Sequence, residues 1–161
     1  MSDSVLRPLG PGDVDDVVAL NDRFVHLTAP MPHERVREMA ETGTVEVIVH
    51  GGRFAGFVIT AMSGSGFASE NFDWFAGHYD DYCYLDRIIV HEDVRRAGLG
   101  RRVYDEIEAR AARAVPVLTL EVNIDPPNEP SLAFHAGRGF EQVGERFITD
   151  HTVGMMAKRL A

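Results

Sequence analysis

The sequence is constrained most by one stretch, in which an apolar strand runs through a short turn into a glycine-punctuated helix start. It reads Ile88-Ile89-Val90, then His91-Glu92-Asp93-Val94-Arg95-Arg96-Ala97, then Gly98-Leu99-Gly100-Arg101. The first backbone N–H groups of a helix have no partner within it, and the helix dipole places partial positive charge there. Gly98 and Gly100 carry no side chain to keep an anion from those donors, and Arg95, Arg96, Arg101 and Arg102 surround them with positive charge. A strand, a turn and a helix start of this kind form a cradle for a phosphate or pyrophosphate. The spacing is neither that of a Walker loop nor that of the three-glycine dinucleotide fingerprint. A bare arginine-flanked helix start is the alternative.

The flanking pattern predicts a mixed α/β domain. Ser4 to Leu9 reads as a strand, and Pro11-Gly12-Asp13 opens a helix carrying Val14, Val17, Val18, Phe24 and Val25 at helical spacing. His33 to Glu41 suggests a second helix. Thr44 to Val49 and Phe54 to Ala61 read as two strands of a hairpin about Gly51-Gly52. Ser63 to Asp81 is the least regular stretch, and a loop of that length is usually functional or partly helical. Strand Tyr82 to Val90, helix Leu99 to Ala114, strand Val117 to Val122 and short helix Pro130 to Ala136 follow. Gly139 marks a stop, and strands Glu141 to Phe147 and Thr152 to Lys158 close the chain. The order is β-α-α-β-β-β-α-β-α-β-β.

The chain of 161 residues, 45% hydrophobic and 25% charged, suits one globular domain spanning 1–161. No apolar run approaches the roughly 20 residues of a membrane helix. The start, Met1-Ser2-Asp3-Ser4-Val5-Leu6-Arg7, lacks the pattern of a signal peptide. Cys83 is the single cysteine, so no intrachain disulfide forms, and a cytoplasmic setting is expected. The net charge of −9 argues against nucleic acid as a partner and suits cationic substrates such as amines.

Arg95-x-x-Gly98-x-Gly100 after Ile88-Ile89-Val90 resembles the acyl-CoA motif of the GNAT N-acetyltransferases. Its second half follows as Asn128-Glu129-Pro130-Ser131-Leu132-Ala133-Phe134-His135, then Gly139-Phe140. The resemblance covers about Tyr82 to Phe147, and the element order of the whole chain agrees with it. It implies a single GNAT-like domain: a mixed, mostly antiparallel sheet with helices on both faces. It also implies acetyl-CoA as co-substrate, no metal, and an amine-bearing acceptor. The strands ending at Val90 and around Leu120 would splay, with pantetheine pairing against Ile88, Ile89 and Val90. Arg95, Arg96, Ala97, Gly98, Leu99, Gly100 and Arg101 would hold the pyrophosphate, and Asn128 and Ser131 would border the cofactor. Asn128 is equally expected to cap the helix it precedes.

Direct transfer needs a neutral amine, a donor to the developing oxyanion and a proton for the thiolate. The resemblance assigns the oxyanion donor to a backbone N–H near Ile89 or Val90. Where many family members carry a thiolate-protonating tyrosine, this chain has His135, so His135 is expected either as that acid or as a structural residue. Glu121 interrupts the apolar strand Leu118-Thr119-Leu120-Glu121-Val122, where burial raises a carboxylate toward the range of a base. In some related enzymes a glutamate at the matching place deprotonates the amine. Asp86 competes for the role: alternation places Tyr82, Tyr84, Asp86 and Ile88 on one face and Arg87 on the other. Cys83 is expected in the core. By resemblance, Asn21 to Pro32 and Glu70 to Tyr84 border the acceptor. In the second segment, the acids and aromatics of Glu70 to Phe75 and Asp80 to Tyr82 suit an ammonium group or form a packed loop. A non-catalytic acyl-CoA-binding module is the alternative function. The acceptor's identity and homodimerisation stay open.

Overall fold

A single sheet of seven strands organises the chain. The computed structural model describes residues 4–26 and 28–160. Met1, Ser2 and Asp3, which carry part of the signal-peptide reading, lie outside the described residues, as do Leu27 of the first acceptor segment and Ala161. The strands are β1 (Leu6–Pro8), β2 (Thr44–His50), β3 (Arg53–Met62), β4 (Cys83–Val90), β5 (Val117–Asp125), β6 (Glu141–Ile148) and β7 (His151–Arg159). The helices are α1 (Val14–Arg23), α2 (His33–Thr42), α3 (Glu70–Ala76), α4 (Leu99–Ala111) and α5 (Glu129–Gly137). Strand order is β1-β2-β3-β4-β5-β7-β6, antiparallel except where β4 meets β5. The expected element order and mixed sheet are present, with α3 added inside the irregular stretch.

Helices cover both faces of the sheet. On one, Val14, Val17 and Leu20 of α1, Val36 and Met39 of α2, and Phe72 and Phe75 of α3 pack over Phe57, Ile59, Tyr84 and Val117. On the other, Leu99, Val103, Ile107 and Ala111 recur at four-residue spacing, so one stripe of α4 meets Val58, Leu85, Leu118 and Leu120. Each large apolar side chain removed from water contributes about 1.5–3 kcal/mol. The first helix ends at Arg23, short of the expected stripe. Phe24 is the residue at its C-terminal cap and Val25 is exposed.

Two irregularities shape the site. In β4 the register slips between Leu85 and Arg87, opposite Thr60 and Ile59, so Asp86 is an inserted bulge residue. Beyond the bulge the faces exchange. Tyr82, Tyr84 and Ile89 share one core, while Cys83 and Leu85 belong to the other, with Ile88 and Val90 against it. The expectation that Ile88 shares a face with Tyr82 and Tyr84 is therefore corrected. A second bulge in β6 brings Gly144 beneath Trp74 of α3, where any Cβ would collide with the indole.

Candidate active site

The sheet opens between β4 and β5, where a splay is expected. β4 and β5 pair only at Cys83–Leu118 and Tyr84–Thr119. From there to Val90, β4 is paired to β3 alone, leaving its other edge without a strand partner along Ile88, Ile89 and Val90. Parallel strands that diverge in this way leave backbone donors and acceptors facing a gap.

The gap lies between β4 and β5, and the chain passes from β4 to α4 through a short 3-10 turn. That turn, Glu92–Ala97, begins with the His91 Nδ1 accepting from the Asp93 N–H at 3.3 Å. Gly98 then takes φ +73°, ψ 20°, a left-handed conformation that costs glycine little. No side chain caps the start of α4, and a Cβ built on Gly98 or Gly100 meets no atom within 4 Å. Packing does not demand glycine at Gly100; open space and uncapped N–H groups lie above it. Arg96, Ala97 and Gly98 are exposed and Leu99 is buried. Arg95 folds back: its Nε donates to the Val90 carbonyl at 3.2 Å and its guanidinium lies 4.6 Å from the Phe24 ring centroid. Across the gap Asn128 accepts from the Ser131 N–H at 3.2 Å, performing the expected cap.

At the floor of the splay the chain gathers carboxylates. Glu121 lies on the β5 face shared with Val117, toward Tyr84 and α3. The Tyr84 hydroxyl reaches both carboxylate oxygens at 2.9 Å. Burial raises the Glu121 carboxyl to about 8; Asp86 adds to the rise, while hydrogen bonds from Tyr84 and Asn71 and the charge of Arg87 oppose it. Tyr84 is itself held well above its ordinary value by burial, so it remains a neutral donor.

Asp86 and Arg87 are not on opposite sides, because the bulge turns them together. Arg87 Nε donates to Asp86 Oδ2 at 2.7 Å. Arg87 Nη1 also donates to Asn21 Oδ1 and to the Ala29 carbonyl, both at 3.1 Å. Asn21 is completely buried, and its Nδ2 donates to that same carbonyl at 3.0 Å. Arg87, expected on the opposite face, is the site-facing residue that sequence reasoning missed; Asn21, Asn71 and Tyr84 fall within the segments expected to border the acceptor, with no individual contact read for them. Asn21 carries a legible signal, a polar residue continuing the buried Val14–Val17 stripe.

His135 sits elsewhere, in the core beneath α4. Its Nδ1 lies 2.7 Å from the Ser131 carbonyl, which can only accept, so that nitrogen holds the proton. Its Nε2, 2.7 Å from the Tyr104 hydroxyl, then accepts. Burial lowers its proton affinity, and the rings of Tyr104, Phe134 and Phe140 surround it edge-on. Both nitrogens are engaged within the protein, an arrangement that suits the structural rather than the acid role. The aromatic residues of the second acceptor segment are also mostly core. Phe72, Phe75 and Tyr82 are buried, and Trp74 stacks on His78 at 3.7 Å, while Asp73, Asp80 and Asp81 face solvent. The Cys83 thiol is buried and pushed up to about 12, which leaves it inert. Among the described residues no His, Cys, Asp or Glu cluster could hold a metal ion.

The sequence model of the acetyltransferase (GNAT) family matches residues 15–140. No curated protein matches the chain significantly. Among solved structures, the chain is similar to the ribosomal-protein-S18-alanine N-acetyltransferase from Escherichia coli. That likeness has TM-score 0.72 and 21% identity over 97% of this chain and 93% of the other. It is also similar to the ribosomal-protein-alanine N-acetyltransferase from Brucella melitensis, with TM-score 0.69 and 22% identity over 96% and 99% of the two chains. A GNAT acetyltransferase from Streptococcus pneumoniae superposes with TM-score 0.68 and 18% identity over 97% and 98%.

Proposed function

The chain belongs to the acetyltransferase (GNAT) family, and from that premise we propose that it moves an acetyl group from acetyl-CoA to a primary amine by direct attack. The observation that carries the mechanism is the Glu121 carboxylate, half-buried at the floor of the splay with Tyr84 on both its oxygens. A base poised at about 8 takes a proton from an ammonium group of similar affinity without a large uphill step. An N-terminal amine, ordinarily near 7.7–8.0, matches it well. Tyr84 orients the carboxylate and stays neutral while doing so.

The residues around α4 fit the co-substrate. Uncapped N–H groups and the open space above Gly100 suit a pyrophosphate, with Arg96, Ala97, Gly98, Leu99 and Arg101 around it. The edge of Ile88, Ile89 and Val90, which has no strand partner on that side, suits an extended amide-bearing arm, and a backbone N–H there is the oxyanion donor in this proposal. Asn128 and Ser131 border the same space from α5. Acetyl-CoA supplies an activated thioester carbonyl; the chain supplies orientation, a base and a donor. His135 has no free nitrogen to protonate the departing thiolate, so we assign it a structural role. Asp86 is the ammonium's electrostatic partner rather than the base, since Arg87 already occupies one of its oxygens.

The acceptor is a small amine or a peptide N-terminus, the latter favoured by the activities of two proteins of similar fold. The single cysteine supports a cytoplasmic setting, and the charge of −9 supports partners other than nucleic acid. No helix of the described residues is long and apolar enough to cross a membrane. A panel of amines and peptides with acetyl-CoA, monitored by free thiol release, tests the proposal. Turnover with at least one amine, lost in Glu121→Gln at neutral pH, supports it. No thiol release with any amine despite acetyl-CoA binding would favour a binding module instead.

A further inference from the structure

The motif arginine, Arg95, has no part in the chemistry above. The resemblance places it at the pyrophosphate, yet its side chain is engaged elsewhere. Its Nε donates to the carbonyl of Val90, the last residue of β4, at 3.2 Å. Its guanidinium lies over the ring of Phe24, the residue at the C-terminal cap of α1, at 4.6 Å from the centroid. One residue earlier, Arg23 pairs with Glu92 of the same 3-10 turn at 2.5 Å. The end of α1 is therefore tied to that turn by one aromatic and one ionic contact. It is also fixed from a second direction. Arg87 Nη1 donates to Asn21 Oδ1 and to the Ala29 carbonyl, and the buried Asn21 amide donates to that carbonyl as well. A buried amide with both ends satisfied is a rigid mount, because any rotation would leave a polar group without a partner. Thus β4 holds the end of α1 at its bulge and, through Arg95, at its last residue.

We propose that Arg95 is a positioning residue for the acceptor rather than a ligand of the co-substrate: held on the Val90 carbonyl, it sets where Phe24 and the end of α1 stand beside the cleft. The inference rests on the reading of that end of α1 as a border of the acceptor site. A guanidinium suits the task because it is planar, so its face stacks on a ring while an N–H at its edge keeps a carbonyl. The Arg23–Glu92 pair is the weaker tie. Its side chains are 56% and 37% exposed, and an ion pair so open to water and salt contributes little. The stacked guanidinium is the contact that fixes the geometry. Arg96 and Arg101 differ from Arg95: both are exposed and neither pairs with a carboxylate among the described residues, so they remain available to an anion at the mouth of α4.

Hydrogen exchange reads the tie without any acceptor. The amides of Phe24 and Val25 are bonded to the Asn21 and Asp22 carbonyls in the last turn of α1. They should exchange faster in Arg95→Gln than in the parent, while those of α4 are unchanged. Equal exchange at Phe24 and Val25 overturns the inference whatever the acceptor is. With an amine from the panel that turns over, Arg95→Gln should raise the acceptor KM by about two- to fivefold, the share of one exposed cation–π contact. Acetyl-CoA affinity, read by calorimetry, should stay within about twofold. Phe24→Leu should have the same effect, and the double variant should be no worse than either single one, because both remove the same contact. Additive effects would mean that the two residues act separately, and would overturn the inference. So would an unchanged acceptor KM, or a loss of acetyl-CoA affinity of about tenfold, which would return Arg95 to the phosphates. A parent that turns over no amine overturns the transferase reading instead, and the exchange comparison then decides the role of Arg95 by itself.

Discussion

Glu121 shows how a single half-buried carboxylate links chemistry to stability. Its proton affinity is raised in the folded chain, from an ordinary 4.5 to about 8, so between those values the folded state holds a proton that the unfolded state has lost. Stability therefore falls as pH rises through that window, and the cost is complete above it. Glu121→Gln should gain about 1–3 kcal/mol at pH 9 and nothing at pH 4, measured as the difference in denaturant midpoints at the two pH values. The same variant should lose about 10²- to 10⁴-fold in turnover at neutral pH, with the deficit shrinking once the amine is already neutral. His135 should behave differently. Its lowered affinity means stability is lost as pH falls through about 6.5, where the unfolded ring takes a proton that the folded ring refuses. His135→Phe leaves the Tyr104 hydroxyl without a partner, which costs about 1–3 kcal/mol, while turnover per folded molecule stays within about twofold. A thermal melt beside a rate measurement separates these outcomes, and a hundredfold loss of rate would return His135 to the acid role. Glu121 is legible in the sequence because a carboxylate interrupts an apolar strand. The orientation of His135 is not, because α5 is short and apolar on most sides, so spacing leaves open whether the ring meets the cleft or the core.

Among the elements, α4 and its approach were the most legible part of the chain. A four-residue apolar stripe and two glycines at its mouth define both its buried face and its exposed start. Gly100→Leu should leave the melting temperature unchanged or slightly raised, since leucine has the better helix propensity and a Cβ there meets nothing. Acetyl-CoA affinity, read by calorimetry, should fall at least tenfold because the side chain fills the space above the N–H groups. Unchanged affinity would remove the pyrophosphate from this helix start. Gly98→Ala is the less clean variant, because φ +73° strains any residue with a Cβ. The bulge at Asp86 escaped the sequence because nothing local announces it: no glycine or proline marks Leu85-Asp86-Arg87, and the slip exists only relative to β3. Alternation alone assigns Ile88 and Arg87 to the wrong sides. Helix α3 was hidden for a related reason, since its aromatic residues point mostly into the core within a stretch whose flanks are rich in glycine and serine.

Across the whole molecule, mixed strand and helix periods announce the architecture, while the pairing of β4 with β5 depends on contacts no local pattern records. The charge of −9 acts at this scale too. Anisotropy with labelled DNA or RNA at physiological salt should show nothing tighter than the non-specific range of about 10⁻⁴ to 10⁻⁶ M, and a nanomolar complex would contradict the assignment of the arginines to a small anion. The parallel contact between β4 and β5 has a mechanical consequence. Two residue pairs, Cys83–Leu118 and Tyr84–Thr119, form the seam between a four-stranded half-sheet and a three-stranded one. Most strand pairing runs within the halves, so the seam is a natural hinge line, closed on either side only by packed helices. A thioester arm lying along Ile88 to Val90 would act as a splint across it. Amide hydrogens of β4 that face away from β3 should then exchange quickly in the free protein and slowly with coenzyme A bound, while those facing β3 hardly change. Mass-resolved exchange over Asp86 to Val90 reads this directly, and equal protection in both states would mean that the seam does not depend on its substrate for stiffness.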